Sequence, residues 1–237
     1  MTVRDLAILV AHPRNEFIPL RVQQILGSAG SLRVRVVRNL GRQAIEELRE
    51  LSSPRIFVPH WSKRIPPDVF FRFETICFHM TDLPFGRGGS PLQNLIARNL
   101  ASTKLTAFRC TEDLDAGPIY DKRELGLDGT AEEILHRTGM LVAEMIADIV
   151  RGDIQPSPQA GLVTYFRRRQ PEESEIPRQL AGRALYDFIR MLDADGYPRA
   201  FVRHGRLRLV FSDASLAHDG SAVTARVTLV DDTSSPR

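Results

Sequence analysis

Apolar and polar positions alternate between two periods along the first part of the chain. Residues 5–11 (DLAILVA) form a continuous apolar run that ends at His12-Pro13, the pattern of a strand buried on both faces. The next segment places Ile18, Val22, Ile25 and Leu26 on one helical face, with Gly27 near its end. LRVRVVR (32–38) alternates like a half-buried strand, AIEELREL (44–51) puts Ile45, Leu48 and Leu51 on one helical face, and RIFV (55–58) is another short strand. Strands alternating with helices predict an α/β fold with a mainly parallel sheet. Ligands of such sheets lie beyond the carboxyl ends of the strands. His12, His60 and His79 each follow an apolar run and are expected on that edge, although a strand-end histidine is more often a hydrogen-bonded structural residue.

Further along, TKLTAFRC (103–110) and PIYDKREL (118–125) read as strands around an acidic turn. Residues 130–152 then form the clearest helix, opened by a Thr130/Glu133 capping box and striped by Ile134, Leu141, Met145 and Ile149. Gly152 suits its C-terminal stop. The segment 153–161 reads as a surface connection, 184–193 as a short amphipathic helix, 200–211 as a hairpin turning at His204-Gly205, and 222–230 as an alternating strand. The expected organisation is a main domain over 1–165 and a linker, helix and small β-rich appendage over 166–237, with residues 231–237 frayed.

Composition narrows this only a little. The 237 residues are 43% hydrophobic and 26% charged with a net charge of +3, a globular profile without the basic footprint of a nucleic-acid binder. YFRRRQ (165–170) is the only dense basic run, and it suits a solvated loop or a phosphate-bearing small substrate. Cys77 and Cys110 both stand in apolar, strand-like surroundings; they read as reduced core thiols, neither a disulfide framework nor a metal site. No run approaches the ~18 apolar residues of a membrane span, and the N-terminus lacks a cleavage-like signal, so a cytoplasmic protein without a membrane partner is expected.

The chemistry concentrates in CFHMTDLPFGRGGSPLQNLI (77–96), where an apolar strand delivers His79, Thr81 and Asp82 and then crosses Gly86, Gly88 and Gly89. Glycines there permit positive φ and close backbone approach, and Ser90-Pro91 reads as an N-cap followed by proline at the first helical position. No Gly-Lys-Ser/Thr follows, and the spacing is not that of a dinucleotide fingerprint. On glycine content alone, a tight strand-to-helix turn explains the segment as well as a ligand does.

In detail, however, the segment resembles the strand-to-loop motif of the 10-formyltetrahydrofolate-dependent formyltransferases. That family shows Asn-x-His, Leu-Pro, Arg-Gly and Pro-x-Gln, and His79, Leu83-Pro84, Arg87-Gly88, Pro91 and Gln93 keep the order. EDLDAGPIY (112–120) is similar to the family's Leu-Asp-x-Gly-Pro-Ile, which places its catalytic aspartate at Asp115. WSKRIPPDVF (61–70) resembles the strand exit whose backbone helps to hold the pterin. The likeness is dense over 55–211 and vague before that.

The resemblance implies a Rossmann-like formyltransferase domain, 10-formyltetrahydrofolate as formyl donor, and no metal. Formyl transfer to an amine passes through a tetrahedral oxyanion, and needs a donor to that charge and groups that move protons. His79 and Asp115 are implied as the catalytic pair. The family asparagine is Cys77 here; it is either a weak stand-in for a missing oxyanion donor or a packed core thiol. Arg64, Ile65, Pro66, Arg87, Gly88, Glu112, Asp113 and Leu114 are implied around the folate. His12, Arg14, Asn15, Thr81, Asp82 and Gln93 are assigned to the acceptor. The wording HWSKRIP and FHMTDLPFGRGG looks most like the branch that formylates nucleotide-linked amino sugars for surface glycan or nonulosonic acid biosynthesis. Methionyl-tRNA, glycinamide ribonucleotide, and a non-catalytic folate- or nucleotide-binding module stay open as alternatives. The β appendage has few large apolar residues, and units of that kind rarely stand alone, so a homodimer built on it is expected.

Overall fold

Leu6, Ala7, Ile8 and Leu9 are each no more than 2% exposed, because their strand, β1 (Arg4–Leu9), is flanked on both edges and covered on both faces. β1 pairs in parallel with β2 (Leu32–Val37) on one edge, Leu6 against Val34, and with β3 (Arg55–Val58) on the other, Ala7 against Ile56. β3 pairs in parallel with β4 (Glu74–His79), Val58 against Cys77. β6 (Ser102–Arg109) then runs antiparallel to β4, Cys77 against Phe108, and β7 (Ile119–Gly126) closes the sheet in the order β2-β1-β3-β4-β6-β7. The sheet is therefore mainly parallel, with its switch point between β1 and β3, from which the order runs outward both ways.

This computed structural model describes residues 4–27, 32–51, 55–152 and 154–231. The frayed tail expected from the sequence lies outside them, apart from Asp231. Helices α1 (Phe17–Leu26), α2 (Arg42–Arg49) and α3 (Pro67–Arg72) connect the parallel strands. Leu48, Val69 and Phe73 pack with Ala7, Leu9, Ile56 and Val58 in one apolar cluster. After β4 come a two-residue strand β5 (Arg87–Gly88), α4 (Pro91–Ile96) and the long α5 (Ala131–Gly152). The Thr130/Glu133 capping box forms: Glu133 Oε2 accepts the Thr130 N–H at 2.7 Å, and Thr130 Oγ1 accepts the Glu133 N–H at 3.3 Å. Among the described residues no helix is long and apolar enough to cross a membrane.

One expectation is corrected. Ser90 does precede α4, but at φ 49 it is left-handed and its hydroxyl caps nothing in that helix. Ser90 Oγ instead accepts the Arg169 N–H at 3.0 Å, so long-range pairing has displaced a local cap.

The described residues divide into two compact units. The first takes residues up to Gly88, Thr103–Leu125 and His136–Phe166; the second takes Gly89–Ser102, Gly126–Leu135 and the described residues from Arg167 onward. In the second, β9 (Phe201–His204), β10 (Leu207–Leu216) and β11 (Val223–Asp231) form an antiparallel sheet, with the tight turn at Gly205 that His204-Gly205 predicts. Helix α6 (Gly182–Arg190) buries Phe188 and Ile189, and also Asp187 and Arg190. Arg190 Nε donates to Asp187 Oδ1 at 2.6 Å, and its Nη1 donates to the carbonyls of Leu127 at 2.6 Å and Gly129 at 2.8 Å. A buried guanidinium is tolerated when its donors are satisfied in this way.

Candidate active site

His79 is the last residue of β4 and is 8% exposed. Its Nε2 lies 2.9 Å from the Gly86 carbonyl oxygen. A carbonyl only accepts, so Nε2 carries the proton and Nδ1 holds the lone pair of the neutral ring. Nδ1 faces Asp115 Oδ2 at 3.9 Å, beyond a hydrogen bond but within ion-pair range of a protonated ring. The same Oδ2 accepts the Gly88 N–H at 2.8 Å. The two residues of the sequence motifs therefore meet in space.

Their approach is imposed by backbone constraints in the motifs. A Cβ at Gly117 would sit 1.8 Å from the Arg109 carbonyl oxygen, so only glycine lets the acidic turn fold back against β6. Asp115 itself is left-handed at φ 50, a conformation that aspartate adopts more readily than most side chains. On the other side, a Cβ at Gly88 would sit 2.5 Å from the Phe166 carbonyl oxygen, because β5 pairs in parallel with β8 (Tyr165–Phe166). Thr164 completes this strap: its Oγ1 accepts the Gly86 N–H at 2.7 Å and its carbonyl accepts the Arg87 N–H at 3.0 Å.

Sequence reading missed Gln159. Its Nε2 donates to the carbonyls of Asp115 at 2.8 Å and Gly117 at 2.9 Å, while its Oε1 accepts from Arg87 Nη2 at 2.7 Å. One amide thus ties the aspartate turn to the arginine-glycine loop. Nothing local marks it, since it sits in the surface connection 153–161.

Cys77 lies beside both this pair and Cys110. Hydrogen bonding with Cys110, then burial and the Asp115 carboxylate, push the Cys77 thiol well above the ordinary cysteine range. Both cysteines are free thiols. Of two other side chains suited to replace a missing asparagine donor, Asn94 is committed elsewhere, whereas the buried Thr81 hydroxyl has no hydrogen-bond partner. Asn94 Nδ2 donates to the carbonyls of Gly89, Ser90 and Arg167 at 3.0–3.2 Å, and Thr81 is fully buried.

The remaining expected residues fall into three places. Arg64, Ile65 and Pro66 form the approach to α3, Arg64 exposed and Ile65 packed against the β1/β3 cluster. Glu112, Asp113 and Leu114 form the exposed turn leading into Asp115, and Leu114 is 56% exposed. His12, Arg14 and Asn15 follow β1, with His60 just beyond β3.

Thr81, Asp82 and Gln93, assigned to the acceptor by resemblance, follow β4 and open α4. Thr81 and Gln93 are buried. Asp82 is gripped by Lys122, which also reaches the Leu83 carbonyl, and by Lys104 at 3.3 Å. Burial works against its charged form, but the two lysines outweigh this and hold its carboxyl below the usual carboxylate range.

Residues 171–230 match the family model described as methionyl-tRNA formyltransferase, C-terminal domain. A curated relative, methionyl-tRNA formyltransferase of Thermodesulfovibrio yellowstonii, is 24% identical over 70% of this chain and 56% of its own length, so the chain spans little more than half of that relative. Among solved structures, a methionyl-tRNA formyltransferase from Clostridium thermocellum is 38% identical, with a TM-score of 0.90 over 97% of this chain and 100% of that one. HypX from Aquifex aeolicus in complex with tetrahydrofolic acid is 17% identical, with a TM-score of 0.68 over 90% of this chain and 38% of that one. A 4-N formyltransferase from Francisella tularensis is 14% identical, with a TM-score of 0.67 over 96% and 97% of the two chains. The last two likenesses are of fold alone.

Proposed function

The chain belongs to the formyltransferase family, and on that premise we propose that it moves a formyl group from 10-formyltetrahydrofolate to a primary amine. The observation that carries the reading is the His79–Asp115 pair, 3.9 Å apart at a strand end, on the two motifs that define the resemblance. The donor and acceptor chemistry falls within residues 1–165, and residues 166–237 act as linker and β-rich appendage.

The residues present fit the donor. A pterin-benzoyl group is flat and aromatic, and the site offers exposed apolar side chains to meet it: Leu114 at 56% exposure beside Asp115, and Leu162 at 83% and Val163 at 42% next to Thr164. Backbone from Arg64 to Pro66 and at Gly88 supplies the polar edge. Bound there, the folate supplies the activated formyl carbon and a leaving nitrogen.

The chain's own groups do the rest. The acceptor amine attacks as the neutral form and must lose a proton. The His79 Nδ1 lone pair is placed to take it, the Asp115 carboxylate stabilises the ring cation that results, and that cation gives the proton back to the leaving nitrogen as the carbon–nitrogen bond to the donor breaks. Oxygen charge in the tetrahedral intermediate needs N–H donors, and with Cys77 in place of an asparagine fewer are supplied by side chains. Gln159 and Arg87 position the aspartate turn from behind.

For the acceptor, a nucleotide-linked amino sugar is the reading we favour. Binding of a tRNA is driven by arginine and lysine that neutralise phosphates and release their counterions, yet six arginines of the C-terminal unit, Arg167, Arg183, Arg190, Arg199, Arg203 and Arg226, pair with carboxylates. The second reading, methionyl-tRNA, is favoured by the names of the curated relative, the Clostridium structure and the family model over 171–230. Tetrahydrofolate release from 10-formyltetrahydrofolate, measured with UDP-, dTDP- and GDP-linked amino sugars and with methionyl-tRNA, decides between them. Release only with methionyl-tRNA would overturn the sugar reading. Release with none of these would remove this panel as acceptors.

A further inference from the structure

Cys77 and Cys110 form a pair of thiols that the transfer chemistry above does not need. Cys77 stands opposite Phe108 across the antiparallel β4/β6 ladder. The Cys110 N–H donates to the Thr75 carbonyl at 2.7 Å, so the ladder runs on one residue past β6. Side chains return to the same face at every second residue. Cys77, Cys110 and His79 therefore share one face of the sheet, with the two cysteines diagonal to each other. Both thiols are free and only partly buried.

The hydrogen bonds divide their roles. Cys110 donates its own S–H to the Thr111 carbonyl at 3.8 Å, so the bond between the thiols runs from the Cys77 S–H to the Cys110 sulfur. That donated bond holds the Cys110 thiol below the ordinary cysteine range, against its burial and the Asp115 carboxylate. Cys77 is pushed the other way. One sulfur is thus prepared to attack as a thiolate while its neighbour keeps its proton, the arrangement of an attacking and a resolving cysteine.

We propose that Cys110 and Cys77 are a peroxide-sensitive modification site whose disulfide draws Asp115 out of line with His79. The Cys110 thiolate attacks a peroxide oxygen: an S–O bond forms, the O–O bond breaks and hydroxide leaves. The Cys77 sulfur then attacks the Cys110 sulfenic acid, the S–S bond forms, the S–O bond breaks, and the departing hydroxide takes the Cys77 proton as water. Sulfur is oxidised and peroxide reduced, and a dithiol reverses the change.

The consequence follows from distance. Diagonal neighbours of an antiparallel pair stand about 7–8 Å apart, whereas a disulfide favours Cα atoms about 5.5–6 Å apart. Closure must draw the two backbones together by roughly 1–2 Å, and a bond made under such strain is a labile one. Cys77 lies two residues before His79, and Cys110 opens the turn that carries Asp115. That turn has no slack, since a Cβ at Gly117 would already sit 1.8 Å from the Arg109 carbonyl oxygen. A misplacement of about 1 Å at a catalytic group is enough for a ~100-fold loss of rate. The loss of activity rests on the formyl-transfer reading; the bond and the displacement do not.

The test treats the reduced full chain with a small excess of hydrogen peroxide and then with dithiothreitol. Peptide mass spectrometry should find Cys77 joined to Cys110, the chain lighter by two hydrogens, and dithiothreitol should undo the link. The His79 ring signal in NMR should shift with the bond and return on reduction. With an acceptor that the reduced chain uses, formyl transfer should fall ~100-fold and recover. In Cys77→Ser a sulfenic-acid probe should label Cys110. Cys110→Ser should lose both the link and the reversible fall, judged against its own untreated rate. Peroxide that leaves Cys77 and Cys110 unlinked, or joins Cys110 to a second chain instead, overturns the site. A Cys77–Cys110 bond that leaves the His79 signal in place overturns its coupling to the catalytic pair. A bond that moves His79 in a chain whose reduced form transfers no formyl supports the site and sinks the formyl-transfer reading.

Discussion

Gln159 holds Asp115 from behind, its Nε2 donating to the Asp115 carbonyl at 2.8 Å while its Oε1 accepts from Arg87. The side chain touches no reacting atom, so its effect must run through the aspartate's position. Gln159→Ala is expected to lower kcat by roughly 100-fold, the scale of a misplaced catalytic group, with little change in donor affinity. Gln159→Glu should rescue the Arg87 half only. Turnover and tetrahydrofolate binding measured together check this, and a normal kcat in Gln159→Ala would show that the turn holds itself.

Cys77 separates two readings by one substitution. The thiol is engaged with Cys110 and lies beside Asp115, so Cys77→Asn should place an amide where a packed sulfur was, with a loss of roughly 1–3 kcal/mol for its unmet hydrogen bonds. Thermal melting should show a lower midpoint with turnover unchanged or reduced. Turnover that rises instead would identify the position as an undersupplied oxyanion donor.

His60 sets a pH window. Its folded-state value of about 4 lies below the ordinary 6.5, so the unfolded chain takes up the proton first as pH falls. Stability contributed by the neutral ring is full above about 6.5 and is lost as pH drops through about 4. Urea midpoints should fall across that window, and His60→Gln should flatten the fall. A variant profile that overlays the parent would assign the dependence to another group.

The β11 edge presents Val227, Leu229 and Val230 at 44%, 63% and 46% exposure. An exposed apolar strand edge favours pairing with a second copy, and we expect a homodimer through it. Light scattering at micromolar concentration should give a dimer for the full chain and a monomer for Val227→Lys/Leu229→Lys. A monomeric full chain contradicts the expectation.

Local signals carried much of the fold. The Thr130/Glu133 capping box, the His204-Gly205 turn and the apolar run of β1 each depend on neighbours within a few residues, and each forms. Two of the site's partners, His79 and Asp115, were legible because their motifs have fixed spacing. Gln159 and Thr164 were not, since their partners stand 42 to 78 residues away and no periodicity points to them. Nor does anything local in the short amphipathic helix mark the burial of Asp187 and Arg190, which the carbonyls of Leu127 and Gly129 make possible. Ser90 read as a cap because a cap is local, and a distant Arg169 amide claimed its hydroxyl.

The most direct test of the formyl-transfer account is the single-turnover rate of formyl loss from bound 10-formyltetrahydrofolate on adding an amine acceptor that the parent chain uses. His79→Ala and Asp115→Asn are each predicted to slow that step by at least ~100-fold, with tetrahydrofolate binding retained. The double variant should be little slower than either alone, because the two act as a unit. A single variant that transfers formyl at the parent rate would contradict the account.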